Sequence, residues 1–179
     1  MLSQVILLGL AATAVAVDLR FYVNSYGRCY EGPWIGFANI NPGVCCIPSG
    51  GNSAGSFFAT VGIHAVPRGW TIIGRGYRND KCRDNPMQFT YGNGDGSDLC
   101  LNHNGNSFMS AKYDFYKNSK RSDEELECKE KAKATEVGLM DGSVFSMADM
   151  DEEEVDKMGF ESAVSISSYK GTTPPTCPS

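Results

Sequence analysis

The sequence has few of the residues from which metal sites and acid–base sites are usually built. It contains only two histidines, His64 and His103, among 179 residues, and their spacing does not fit zinc ligands. No Cys-x-x-Cys pair occurs among the seven cysteines, which excludes the common zinc-binding modules. A phosphate-binding loop and a His-Glu-x-x-His helix are also missing. We therefore expect no metal and no other cofactor.

The sequence also lacks an apolar run of the roughly 20 residues that a membrane-spanning helix needs. The chain opens with a shorter apolar run from Val5 to Leu10, followed by small residues up to Ala16. Such a segment is typical of a secretory signal peptide. We predict that residues 1–16 are removed before Val17 and that the protein is secreted and extracellular, without a membrane anchor. The alternatives for this segment are an anchor helix or a buried strand.

All seven cysteines lie after residue 16. This density of cysteine is typical of proteins that fold in an oxidising compartment, where disulfides form and persist. No Asn-x-Ser/Thr site occurs in the sequence, so N-linked glycans do not contribute to solubility. Disulfide bonds are therefore the expected use of the cysteines.

Charge divides the remaining chain near residue 120. Residues 17–120 carry ten basic and seven acidic side chains, whereas residues 121–179 carry six basic and fourteen acidic ones. We predict a β domain over 17–120 and an acidic C-terminal extension over 121–179. At the boundary, the pair Lys120-Arg121 resembles a processing site for a dibasic-specific protease, with a solvated linker as the alternative.

The region before residue 120 contains an internal repeat. Cys29 and Cys46 are 17 residues apart, and Cys82 and Cys100 are 18 residues apart. In both halves a Gly-Asn-Ser sequence begins five residues after the second cysteine. This agreement indicates a duplicated unit, with copies over about 18–66 and 67–118.

Residue types within each unit favour strands over helices, because β-branched and aromatic residues occur in short runs between Gly, Pro, Asn and Asp. Residues 57–63 and 111–116 are the clearest strands, and in the second one Lys112, Asp114 and Tyr116 would form a wet face. We predict a mainly β fold of two Greek-key-like units.

The acidic extension is predicted to be a partly ordered α/β tail. Residues 124–134 and 149–158 are compatible with helices, because they are charged and contain few helix breakers. Between them, the Asp141-Gly142 pair lies within an apolar segment from Val137 to Phe145, which predicts a hairpin.

Three features together carry a resemblance: the aromatic-rich strand that opens each repeat, the Cys29-Tyr30-Glu31-Gly32 turn, and a serine late in each repeat. In these features residues 18–118 resemble the double Greek keys of βγ-crystallins, an architecture also found in small disulfide-rich killer toxins. The whole layout is similar to that of small cysteine-rich secreted proteins of fungi, many of them effector-like. The crystallin calcium motif is not met, and residues 93–98 are the nearest approach, so the resemblance implies no calcium ligands here.

The repeat predicts equivalent disulfides within each unit, namely Cys29–Cys46 and Cys82–Cys100. Each would close a loop worth roughly 3 kcal/mol in the chain-entropy model.

The remaining cysteines allow two arrangements. Neighbouring residues of a strand point to opposite faces, so Cys45 needs a partner of its own, and Cys128 is the expected one. Alternatively, Cys128 pairs with Cys177 and Cys45 is left over. Because the number of cysteines is odd, one thiol remains or joins a second molecule, and we expect Cys177 to be that residue.

Candidate binding residues are aromatic and histidine side chains near glycine-rich turns. Tyr30, Trp34 and Tyr77 could stack on sugars or anchor a protein partner, although aromatic residues can equally fill the core. His103 is the polar candidate, and with Asp98 it could form an acid–base pair in an enzyme.

The expected function is that of a secreted disulfide-rich binding protein, effector-like or toxin-like, acting on an extracellular or host partner. The alternative is a carbohydrate-binding module of the cell wall, and a small secreted hydrolase or ribonuclease is a third hypothesis. We expect a monomer that binds an extracellular protein or glycan and does not bind nucleic acid.

Overall fold

A computed structural model of the protein describes residues 17–23, 28–48, 58–103, 107–116, 131–147 and 149–150. This part of the chain contains eleven β-strands and no helix. Their bounds are β1 (Val17–Tyr22), β2 (Trp34–Ile40), β3 (Cys45–Cys46), β4 (Thr60–His64), β5 (Ile72–Tyr77), β6 (Gln88–Tyr91), β7 (Leu99–Asn102), β8 (Ser110–Phe115), β9 (Lys131–Ala132), β10 (Glu136–Gly138) and β11 (Val144–Ser146). The predicted mainly β fold class is confirmed.

The strands form two sheets around one core. Their orders are β11-β10-β2-β1-β4-β7 and β6-β5-β8-β3-β9. Side chains alternate between the faces as expected for strands: in β1, Leu19 and Phe21 are fully buried, whereas Arg20 between them is partly exposed. The buried faces of both sheets contribute to a single apolar cluster that includes Leu101 and Tyr113. The result is a two-layer β structure.

Aromatic rings fill much of this core. Phe21 packs edge-on against Phe37 and Phe58, with ring centroids 5.7 and 5.6 Å away, an arrangement that aromatic pairs favour. Tyr113 of β8 is fully buried, and its hydroxyl donates a hydrogen bond of 2.7 Å to the carbonyl oxygen of Ile40 in β2. This bond satisfies a buried polar group and connects the two sheets.

The two halves of the domain exchange one strand each. The strand order β2-β1-β4 of the first half is matched by β6-β5-β8 of the second. The third strand of each half leaves its own sheet, because β3 pairs with β8 and β7 pairs with β4. Each sheet therefore contains strands from both halves.

Two disulfides each join an exchanged strand to the half of the domain that receives it. Cys29, in the β1–β2 connection, is bonded to Cys100 of β7, and Cys82, in the β5–β6 connection, is bonded to Cys45 of β3. Their Cα atoms are 5.6 and 5.8 Å apart, within the usual range for disulfides. Both bridges join the first half of the domain to the second.

The predicted pairs Cys29–Cys46 and Cys82–Cys100 are therefore wrong, as is a bridge from Cys45 to Cys128. The exchanged strands carry the second cysteine of each repeat into the other sheet, away from the first. The side chain of Cys46 points into the core, opposite to that of Cys45, and Cys46 belongs to neither bridge.

The described part of the acidic extension continues both sheets. β9 lies parallel to β3, and β10 lies antiparallel to β2. The predicted hairpin is confirmed, because β10 and β11 pair antiparallel and Gly142 takes the positive φ of 87° that their turn requires. The carbonyl of Leu139 accepts a hydrogen bond from the Gly142 N–H across this turn.

The helix predicted over residues 124–134 does not extend through its last residues, since Lys131–Ala132 form β9. The backbone of β3 offers hydrogen-bond partners there, and tertiary pairing overrides a weak local helix preference. The domain boundary at residue 120 stays a prediction because residues 117–130 lie outside the described part. Residues 1–16, the Lys120-Arg121 pair, Cys128 and Cys177 also lie outside it.

Candidate functional site

The outer face of the six-stranded sheet carries a polar relay of three side chains. The Tyr22 hydroxyl lies 2.9 Å from Nε2 of His64, and His64 Nδ1 lies 2.7 Å from a carboxylate oxygen of Asp98. In the tautomer that serves both contacts, the Tyr22 hydroxyl donates to Nε2, and Nδ1–H donates to Asp98. The three residues come from β1, β4 and the β6–β7 connection.

Glycine makes room for this relay and for its aromatic neighbour. A Cβ atom at Gly62 would overlap the His64 ring, and one at Gly138 would overlap the Trp34 ring. Trp34 is only 9% exposed, and the Arg20 guanidinium lies over its ring at 4.3 Å from the centroid. Both rings therefore lie flat against the sheet.

The ionisation of the nearby tyrosines reflects burial. Burial raises the pKa of Tyr22, and the positive charge of Arg20 partly offsets this rise. Burial and the negative charge of Asp98 also raise the pKa of Tyr30, whose ring packs edge-on against His64 at 5.6 Å. Both phenols therefore remain protonated and neutral at physiological pH.

The three side chains of the relay have a structural role. A general base or nucleophile must reach its substrate, but Tyr22 is 3% exposed and His64 is 7% exposed. Both ring nitrogens of His64 already have partners inside the protein. The arrangement fixes three elements relative to one another and holds the loop that presents Tyr30.

A second surface lies on the outer face of the five-stranded sheet and consists of exposed rings. We call it the aromatic row, and it comprises Phe89, Tyr91 and Tyr116. The Phe89 and Tyr91 centroids are 5.6 Å apart, and those of Tyr91 and Tyr116 are 4.9 Å apart. Tyr91 is 52% exposed, and its two neighbours are similarly open. Large aromatic side chains that remain exposed next to one another are typical of interaction sites.

Charged groups lie beside the row. In register, Arg75 of β5 stands between Phe89 of β6 and Lys112 of β8. The Arg75 guanidinium makes an ion pair with Asp114, which is itself mostly buried. A polar, hydrogen-bonding border therefore adjoins the apolar rings.

The sequence-predicted binding residues are scattered over the molecule. Tyr30 is 60% exposed, whereas Trp34 and the 3%-exposed Tyr77 are buried and cannot offer a ring face to a ligand. His103 is partly buried at the end of β7. Asp98, its expected acid–base partner, pairs with His64 instead.

From the sequence, Tyr116 was placed on a wet strand face, but Phe89 and Tyr91 were not identified, although the sequence contains a signal for these two. Gln88, Phe89, Thr90 and Tyr91 alternate polar and aromatic side chains, the period of a strand with one aromatic face. No local sequence pattern indicates the relay, because Tyr22 and His64 are 42 residues apart and His64 and Asp98 are 34 residues apart.

The described residues contain no group of three or more His, Cys, Asp or Glu side chains placed to hold a metal ion. Within the same part of the chain, no helix is long and apolar enough to cross a membrane.

One sequence pattern that resembles a catalytic motif lies outside the two surfaces described above. Residues 51–55 read Gly-Asn-Ser-Ala-Gly, which fits the Gly-x-Ser-x-Gly pattern of serine hydrolases, but that pattern has meaning only in a strand–turn–helix context. These five residues lie outside the described part, so the pattern assigns no role here.

Comparison with known sequences places the domain in a family. Residues 18–135 match the model of ARB_05566_N, an N-terminal domain, over more than half of the 179 residues. The chain belongs to this family. No curated protein and no solved structure matches the chain significantly.

The family domain contains both surfaces described above. Its residues include the relay, the aromatic row and the four cysteines of the two bridges seen in the described part, and they also extend beyond residue 120 to include β9. β10 and β11 lie past its last residue. The two-half β structure with its crossed disulfides is therefore the part that the family defines.

Proposed function

We propose that this chain is a secreted, disulfide-stabilised binding protein, effector-like or toxin-like, that contacts an extracellular or host protein through the aromatic row. The observation that carries the proposal is the set of three adjacent exposed rings beside an Arg–Asp ion pair. Tyrosine and arginine are enriched among the residues that dominate protein–protein binding energy. Tyrosine also gives a large contact area for few rotatable bonds.

The disulfides support secretion. Both bridges of the described part, Cys29–Cys100 and Cys45–Cys82, are of the kind that persists in oxidising compartments. The resemblance to small cysteine-rich secreted proteins of fungi supports the same location.

The arrangement of the strands supports the double Greek-key interpretation. Both halves have the same strand order and exchange the third strand. In both, a hydroxyl at the start of the fourth strand donates to the first hairpin: Thr60 to the carbonyl oxygen of Arg28, and Ser110 to that of Asn79. We interpret these equivalences as a duplicated βγ-crystallin-like unit.

The ring orientations favour a protein partner over a flat polymer. The Phe89 and Tyr91 planes meet at 75°, and those of Tyr91 and Tyr116 meet at 72°. Neighbouring rings therefore do not form one continuous plane on which a crystalline polysaccharide could lie. They form an uneven apolar surface that suits complementary side chains.

Photo-crosslinking tests this proposal with a matched pair of sites. A benzoylphenylalanine is placed at Tyr91 in one variant and at Tyr30 in another, because both are exposed tyrosines, the first on β6 of the five-stranded sheet and the second in the β1–β2 connection of the six-stranded sheet. With the same extracellular protein fraction, we expect an adduct from position 91 that disappears when Phe89→Ser is added. An adduct from position 30 alone would assign binding to the other sheet and overturn the proposal.

A soluble glycan chain is the second candidate partner. Arg75 and Asp114 could bond sugar hydroxyls while Tyr91 packs against a ring face, a mixture of contacts that suits polar ligands with apolar faces. A glycan array distinguishes the two cases. Binding to one defined polymer that is lost in Tyr91→Ser and retained in Tyr30→Ser would favour the carbohydrate-binding module.

A further inference from the structure

Among the described residues, the aromatic row lies beside an open sheet edge. β6 is the terminal strand of the five-stranded sheet, and among the described residues it pairs only with β5. Edge strands with unpaired N–H and C=O groups are templates for pairing with another strand.

The direction of the β6 backbone groups follows from its register. Gly92 donates its N–H to the carbonyl oxygen of Ile72 at 2.8 Å, so these two form a hydrogen-bonded pair. Such pairs alternate with non-bonded ones along an antiparallel ladder. In the observed register, the N–H and C=O groups of Phe89 and Tyr91 therefore point away from β5, towards the open edge.

This edge is complementary to itself under a two-fold axis. If two copies of β6 pair antiparallel with the axis at Thr90, Phe89 of one copy lies opposite Tyr91 of the other. Both residues present outward N–H and C=O groups, so the two Phe89–Tyr91 pairs would make four backbone hydrogen bonds. Their rings would also become cross-strand neighbours on one face, which stabilises paired strands.

In the same two-fold arrangement, residues of opposite charge near the two ends of β6 would come together. Arg78, which directly follows β5, is exposed, and its Nε lies 3.1 Å from Sδ of Met87, the residue before β6. Asp95 is exposed just beyond the end of β6. An antiparallel copy brings the beginning of one strand near the end of the other, so Arg78 would face the partner's Asp95 at both ends.

We propose that two copies of this chain associate through β6, which joins the two five-stranded sheets and makes one continuous surface from both aromatic rows. This dimer differs from the monomer that the sequence predicts. It goes beyond the proposed function because it does not require an external partner. The dimer would double the number of exposed aromatic rings that an external partner can contact.

Complementary charge variants test the dimer. Arg78→Asp places two acidic groups at each end of the interface, and Asp95→Arg places two basic groups there. In sedimentation equilibrium over a concentration series, we expect wild type to dimerise and each variant alone to have at least a tenfold higher dissociation constant. An equimolar mixture of the variants should recover dimerisation, since every end then pairs an acid with a base.

A backbone variant separates strand pairing from ring contact. Phe89→Ala keeps the outward N–H, whereas Phe89→Pro removes it, and proline is tolerated at an edge where the N–H is not used by the fold. We expect Phe89→Pro to be monomeric and Phe89→Ala to dimerise weakly, with thermal unfolding as the folding control. A monomeric wild type, equal effects of the two substitutions, or no recovery in the charge mixture would each overturn the dimer. None of these outcomes would affect crosslinking of an external protein at position 91.

Discussion

The carboxylate of Asp98 lies 2.7 Å from Nδ1 of His64, and its other oxygen accepts the backbone N–H of Ala65 at 3.2 Å. One side chain thus fixes the end of β4 and the orientation of the imidazole. Ala65 has a φ of 56°, a conformation that non-glycine residues rarely adopt. These contacts help to hold the chain in that conformation.

Replacing Asp98 should destabilise the protein without unfolding it. In Asp98→Ala, the His64 N–H loses its acceptor, which typically costs about 1–3 kcal/mol. We expect the lower end, about 1 kcal/mol, because the Asp98 side chain is 37% exposed and its contacts are screened by water. Urea unfolding measures the change, with Asp149→Ala, at an exposed position, as the control. Equal midpoints for the two variants would contradict the bracing role.

Alkaline pH should destabilise the fold through its buried tyrosines. The pKa of Tyr22 is raised above its ordinary value of 10.0 by burial, and that of Tyr113 is raised for the same reason. Below pH 10, both phenols are protonated in the folded and unfolded states, and the full stability is present. Above pH 10, the unfolded chain loses these protons first, so stability falls as pH rises.

Tyrosinate absorbance checks this expectation. In a titration from pH 9 upward, Tyr22→Phe should remove part of the late absorbance change that coincides with unfolding. Tyr30→Phe is the exposed comparison. If all tyrosines ionised together near pH 10 while the protein stayed folded, the burial of Tyr22 would be contradicted.

The crossed disulfides should contribute substantially to stability. They close separations of 71 residues (Cys29–Cys100) and 37 residues (Cys45–Cys82), and the chain-entropy model gives about 4 kcal/mol for each. We expect the double variants Cys29→Ala/Cys100→Ala and Cys45→Ala/Cys82→Ala each to lose stability of this order in urea unfolding. An unchanged midpoint in either variant would show that its bridge is not formed.

Glycine at position 138 should be required for the extension to dock on the domain. A Cβ atom there would overlap the Trp34 ring, whereas one at Gly92 would meet its neighbours at ordinary distances of 3.5–3.6 Å. We therefore expect Gly138→Ala to lower the free energy of unfolding by about 1–3 kcal/mol through overpacking. Gly92→Ala should lower it by clearly less. Similar losses in both variants would contradict the contact between β10 and Trp34.

The fold class was accessible from sequence because it depends on local patterns. Alternation and turn residues indicated strands, and the Asp141-Gly142 pair correctly indicated a hairpin. The disulfide pairs were not accessible, because the exchange of β3 and β7 depends on contacts between distant parts of the chain. A repeat shows which cysteines are equivalent but not whether they bond within or between the copies.

Burial of polar residues was the other limit. The alternation in β8 predicted a wet face, but Lys112 and Asp114 are only 5% and 7% exposed. Asp114 lies there because Arg75 on the neighbouring strand provides an ion-pair partner, and a paired charge can be buried at lower cost. The sequence of β5 or of β8 alone does not indicate such an ion pair.

The position of every surface described here depends on the interlocking of the two halves, and a disulfide map tests that most directly. The oxidised protein is digested without reduction, and electron-transfer fragmentation distinguishes Cys45 from Cys46 in the linked peptides. We expect Cys29 to be linked to Cys100 and Cys45 to be linked to Cys82. Links between Cys29 and Cys46 and between Cys82 and Cys100 would show that each half closes on itself, and would contradict the exchange of strands.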